Sequence, residues 1–127
     1  MLAAVVLSPY QSCPRPTIAV APREPYATHG PTEVVVGLYV QGGAFIPACH
    51  NAAVHGPEAG TVTVRARGGK IAAQETLRGA GKLFALRVGP GSYTISAKFA
   101  GGVRVPGVSV TVRRGYTTRR DLFEDVP

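Results

Sequence analysis

Between Thr61 and Arg114 the apolar residues fall on every second position, and glycine punctuates the runs. In "TVTVRA" (61–66), Val62, Val64 and Ala66 share one face while Thr61, Thr63 and Arg65 share the other. "SYTISAKFA" (92–100) sets Tyr93, Ile95, Ala97 and Phe99 against Thr94, Ser96 and Lys98. "VSVTVRR" (108–114) aligns Val108, Val110 and Val112. A period of two belongs to a strand with one buried face, whereas an amphipathic helix needs 3.6. "TEVVVGLYV" (32–40) is apolar on both faces, which predicts a central or doubly covered strand. "KIAAQET" (70–76), "KLFALRV" (82–88) and "TTRRDLF" (117–123) complete seven or eight strands. Turns are expected at Arg67-Gly68-Gly69-Lys70, Gly79-Ala80-Gly81, Gly89-Pro90-Gly91, Gly101-Gly102 and Gly115. The expectation is an all-β, antiparallel two-sheet β-sandwich of about seven strands, immunoglobulin-like or prealbumin-like.

With 127 residues the chain holds one such domain and a short appendage. Sixteen glycines and eleven prolines suit short strands and tight turns better than helices. Residues 1–12 open on the apolar run "MLAAVVLS" and read as the remnant of a secretory signal, too short to cross a bilayer. Residues 13–31 are proline-rich and read as an extended tether. The domain is expected over residues 32–123, with a tail at 124–127. This layout implies an exported or cell-surface protein that meets the membrane only through an N-terminal anchor.

"RVGPGSYTIS" (87–96) is the stretch that most resembles a site. A phosphate-cradling loop would need a helix after the glycines. Here an alternating run follows, and Ser92 has no identifiable base. The stretch predicts a hairpin corner, with Tyr93 the first inward residue of the next strand.

Four motifs together carry a resemblance: Gly60-x-Val62-x-Val64, Gly81 before Phe84, Leu86 to Tyr93 through Pro90-Gly91, and Val110-x-Val112-x-x-Gly115. Over residues 33–123 the chain resembles the carboxypeptidase regulatory-like β-sandwich. It is similar also to the transthyretin-like, PEGA and collagen-adhesin B-type domains. Secreted actinobacterial lipoproteins carry such domains, often with a Gly-Gly after the first strand, as at Gly42-Gly43. Between Leu86 and Pro90 the spacing is two residues longer than in the family pattern. The resemblance implies a fold and no active site. An adhesin-type isopeptide would need Asn51 or Asp121 as the acceptor, and the first strand offers no lysine. The hydroxyisourate hydrolase signature of the transthyretin group is absent from the ending Asp121–Pro127.

Three sets of residues are candidates for chemistry. Cys13 and Cys49 are the only cysteines; they could form one disulfide, or Cys13 could be lipidated. "CHNAAVH" brings Cys49, His50 and His55 within seven residues, a possible zinc or copper set without a recognised metal spacing. Finally, charge is segregated. Residues 61–127 hold twelve Lys or Arg against four acids, a balance of +8, while residues 1–60 sum to −1. Arg65, Arg67, Lys98, Arg113, Arg119 and Arg120 could form a polyanion-binding stripe on one sheet face. Aromatic interleaving is sparse, which disfavours nucleic acid against a cell-envelope polyanion, such as an acidic glycan, or a protein. No nucleophile–base grouping is legible and no cofactor is expected. The sequence therefore reads as a non-enzymatic structural or binding module, with a metal-binding protein and a polyanion binder as the alternatives.

Overall fold

The structure, a computed structural model, describes residues 25–42 and 54–126. Eleven strands follow in order: β1 (Tyr26–His29), β2 (Glu33–Val36), β3 (Leu38–Gly42), β4 (Val54–His55), β5 (Gly60–Ala66), β6 (Ile71–Leu77), β7 (Phe84–Arg87), β8 (Gly91–Phe99), β9 (Arg104–Val112), β10 (Tyr116–Arg119) and β11 (Leu122–Val126). Among the described residues there is no helix. The first sheet has the order β1-β10-β2-β7, the second β11-β3-β4 and the third β6-β5-β8-β9. The described residues are all-β, as their alternation requires, with eleven strands in three hydrogen-bonded sheets where about seven strands were expected.

The extra strands have a physical origin. The run at 32–40 is broken at Gly37 into β2 and β3, and the run at 117–123 is broken at Arg120–Asp121 into β10 and β11. The two breaks face each other: Arg120 N–H donates to the Val35 carbonyl at 3.0 Å, and Leu122 N–H to the Gly37 carbonyl at 2.9 Å. The first and second sheets are therefore joined through one bent pair of strands. That pair is parallel, Val34 opposite Thr118 and Leu38 opposite Leu122, so the expectation of a purely antiparallel fold is corrected. As its two apolar faces predicted, the 32–40 run is central, with β2 between β10 and β7 and β3 between β11 and β4.

β1 lies within the segment expected to be a tether. Its four residues pair antiparallel with β10, because Pro25 and Pro31 flank the strand without removing any donor from inside it. β11 likewise takes in residues 124–126 of the expected tail.

Inward residues from all three sheets meet in one core. β2 and β3 contribute Val34, Val36 and Leu38, β5 contributes Val62 and Val64, and β7 contributes Phe84 and Leu86. Ile95, Ala97 and Phe99 of β8, Val110 and Val112 of β9, and Leu122 of β11 close it. No tryptophan is available, so Val, Leu and Phe side chains fill the space, and Phe84 and Ile95 are fully buried.

The turns divide into two kinds. Arg67–Lys70 is a hairpin: Gly68 and Gly69 both have φ of +88°, and Ala66 N–H bonds the Lys70 carbonyl at 2.7 Å. Gly89-Pro90-Gly91 is not a hairpin. β7 pairs with β2 in the first sheet and β8 pairs with β5 and β9 in the third, so the turn carries the chain between sheets. Gly91 has φ of +154°, and the Tyr93 hydroxyl donates back to the Gly89 carbonyl at 2.7 Å, which holds the crossing closed.

Candidate functional site

The third sheet turns its other face to solvent, and the strand register arranges that face in rows. Thr76, Thr61, Lys98 and Arg104 lie side by side across β6, β5, β8 and β9. In the next row come Gln74, Thr63 and Ser96. Arg65, Thr94 and Ser109 form the third. Alternation dictates this composition: each strand that sends Val, Ile or Phe inward must send its intervening residues outward. The rows are internally bonded. Thr61 and Thr76 hydroxyls lie 2.8 Å apart, the Gln74 amide donates to the Thr63 hydroxyl at 2.8 Å, and the Arg65 guanidinium donates to the Gly69 carbonyl at 3.1 Å.

A bulge hollows this face. Ile95 pairs with Val108 and Ala97 with Val105, so Pro106 and Gly107 stand opposite the single residue Ser96. Pro106 has no amide hydrogen, which suits it to a bulge and bars it from a regular ladder. At Gly107 a Cβ would come within 2.4 Å of the Thr94 methyl group, so glycine is required by close approach. The result is a trough of about 510 Å³ between Arg65, Lys98 and Arg104, floored by the Thr63 and Ser96 row.

No acidic residue stands on this face among the described residues. Glu33 pairs with Arg87 at 3.3 Å in the first sheet, and Glu75 points toward β7, where it accepts from Ala85 N–H at 3.2 Å. Glu58 lies in the β4–β5 connection, Asp121 is buried, and Glu124 and Asp125 are in β11. The positive field of the face is thus opposed by no local carboxylate.

A second cluster of charge lies inside the bend. Asp121 Oδ1 accepts from Gly37 N–H at 2.8 Å and from Arg119 Nε at 3.0 Å, and the Arg119 guanidinium donates to the Tyr39 hydroxyl at 3.0 Å. Asp121 Oδ2 is buried with no hydrogen-bond partner. Burial raises the Asp121 carboxyl above the usual carboxylate range, against the opposing pull of Arg119 and the Gly37 amide. Burial, with Asp121 nearby, also raises the Tyr39 hydroxyl. For Arg119 burial pulls down, but the hydrogen bond and charge of Asp121 together hold the guanidinium above its ordinary value. Gly37 makes room for all of this. A Cβ there would meet the Tyr39 ring and hydroxyl at 2.7 Å and Asp121 Oδ1 at 2.9 Å. The Asp121 carboxylate is therefore bonded to the chain's own strand joint, and no lysine is among its partners.

The structure divides the six residues expected to form one basic stripe. Arg65 and Lys98 line the trough, and Arg67 adjoins Arg65 at the next hollow along the same face. Arg113 instead stacks over the Tyr116 ring at 4.4 Å, Arg119 is committed to Asp121 and Tyr39, and the Nε of Arg120 is buried. Arg104 belongs to the face and was missed. The signal that could have found it is its register with Lys98, hidden by the bulge at Pro106. Cys13, Cys49 and His50 lie outside the described residues, so the disulfide, lipidation and metal sets do too. His55 stands in β4 opposite Val40. No protein-family model, no curated protein and no solved structure matches this chain.

Proposed function

We propose that this chain is a non-enzymatic binding module that engages polyanions through the outer face of its third sheet. In this reading it is an exported or cell-surface domain. Its architecture is a two-sheet, immunoglobulin-like or prealbumin-like sandwich, with the first and second sheets together forming one layer. The core shared by β2, β7, β5 and β8 supports the sandwich, the motifs at Gly60–Val64 and Leu86–Tyr93 support the likeness to carboxypeptidase regulatory-like and transthyretin-like domains, and the apolar residues 1–8 support export.

One observation carries the function: Arg65, Lys98 and Arg104 line a single trough on a face that bears no carboxylate among the described residues. Two cations off this face are paired with carboxylates, Arg87 with Glu33 and Arg119 with Asp121. Those on this face are not, so a bound anion would meet no competing internal acid. Binding of linear polyphosphate and of alginate, measured against salt, tests the reading. Both are expected to bind at low ionic strength. Replacing Arg65, Lys98 and Arg104 together by Gln should flatten the plot of log K against log salt, by about one unit of slope per charge removed. Failure to bind either polymer, or an unchanged slope in the triple variant, would overturn it.

A further inference from the structure

We infer that the polyanion for which this face is built is an acidic polysaccharide, a polymer that alternates anionic groups with hydroxyls. The inference rests on the polyanion reading above and names its ligand.

The spacing of the cations favours an extended anion over a small one. Lys98 and Arg104 are direct cross-strand neighbours. Arg65 is opposite Thr94, four residues along β8 from Lys98, which at the rise of an extended strand is about 13 Å away. One carboxylate or phosphate seated on the Lys98–Arg104 pair leaves the strand position of Arg65 beyond a screening length of about 8 Å at physiological salt. Only a ligand with repeated charges gains from both.

What lies between the cations selects among such polymers. The intervening row is Gln74, Thr63 and Ser96, uncharged and bearing hydroxyl or amide groups. One N–H of the Gln74 amide goes to Thr63, and its second N–H and its carbonyl oxygen remain to bond a ligand in the trough that Gln74 lines. Ser96 stands opposite the bulge, half-buried, with a hydroxyl that can both donate and accept. A polymer with sugar hydroxyls between its charges matches this row. Polyphosphate has acceptors only and leaves it half used. Nucleic acid binding would call for rings on which bases stack. The outward positions of β5 and β8 are Thr61, Thr63, Arg65, Ser92, Thr94, Ser96 and Lys98, with no aromatic side chain among them.

The test compares alginate, linear polyphosphate and a single-stranded DNA oligomer on the full chain and two variants. Gln74→Ala with Ser96→Ala leaves every charge in place. It is expected to weaken alginate binding by about tenfold while leaving polyphosphate within about twofold, in keeping with two lost neutral hydrogen bonds. Both positions reach solvent, and an unchanged thermal midpoint shows that the variant is folded. Equal loss for alginate and polyphosphate, no loss for either, or DNA bound as tightly as alginate would overturn the inference. In each of those cases the triple charge variant would still show the flattened salt dependence and the polyanion reading would stand. If no polymer binds the unaltered chain, both fall together.

Discussion

Replacing Asp121 by alanine should be among the most damaging single changes outside the apolar core. The carboxylate is buried, and its Oδ1 accepts from two donors, the Gly37 amide and the Arg119 guanidinium. Its removal leaves the Gly37 N–H unpaired at a buried strand joint, a loss of about 1–3 kcal/mol. It also strips Arg119 of a charge-assisted bond, about 1.5–3 kcal/mol more. The sum falls near the 3–5 kcal/mol typical of deleting one partner of a buried ion pair. Arg119 keeps its bond to Tyr39 and a little solvent, and the unpartnered Oδ2 no longer has to be desolvated, so about 3 kcal/mol is expected. Asp121→Asn is the informative control. Its amide oxygen can accept both bonds, and its amide nitrogen replaces an oxygen that had no partner. A loss of about 1 kcal/mol or less is therefore expected. Urea unfolding followed by circular dichroism measures both, and the alanine variant should melt about 15 °C lower. If Asp121→Ala is within 1 kcal/mol of the parent, or if Asn is as harmful as Ala, the account of this joint is wrong.

Four further outcomes are expected. Gly37→Ala should cost about 1–3 kcal/mol through overpacking against the fully buried Tyr39, and should broaden the Tyr39 ring signals by NMR. Tyr39→Phe should cost about 1.5 kcal/mol, the loss of one hydrogen bond to a charged donor, with the fold intact by circular dichroism. Because burial raises the Asp121 carboxyl, the folded chain holds that proton more tightly than the unfolded one. Unfolding free energy should then fall as pH rises from about 4 through the raised value, and Asp121→Asn should lack that slope in otherwise identical denaturation series. Phe84→Ala, at a fully buried position, should cost about 3–5 kcal/mol in the same urea assay.

Alternation and glycine placement made the third sheet legible almost residue by residue. In β5 and β6 the inward valines and the Gly68-Gly69 turn agree, so period and pairing follow from local signals, although a register shift between Val64 and Arg65 does not. The rest depends on contacts distant in sequence. Gly89-Pro90-Gly91 announces a reversal, but nothing in those residues says whether the next strand joins the same sheet or the opposite one. Gly37 marks a place where the 32–40 run could break, but the break is fixed by Asp121, which reaches it from 84 residues away. Of the candidate site, the outward cations Arg65 and Lys98 were readable from parity. Arg104 was not, since the bulge at Pro106 and Gly107 shifts its register, and Arg119 was drawn inward by a partner two residues away.

The side-by-side run of β2–β3 with β10–β11 also sets the order in which the molecule can be made. Gly37 and Asp121 are 84 residues apart, so the ladder that joins the first two sheets closes a loop spanning nearly the whole domain. The β5–β6 and β8–β9 pairs close over a few residues and can form early. During synthesis the strands of the 32–40 run must wait, apolar on both faces, until the last residues of β11 emerge. β10 and β11 therefore act as the clasp of the fold. Deleting β10 and β11 should leave those valines without a cover and make the chain aggregate while its hairpins are still intact.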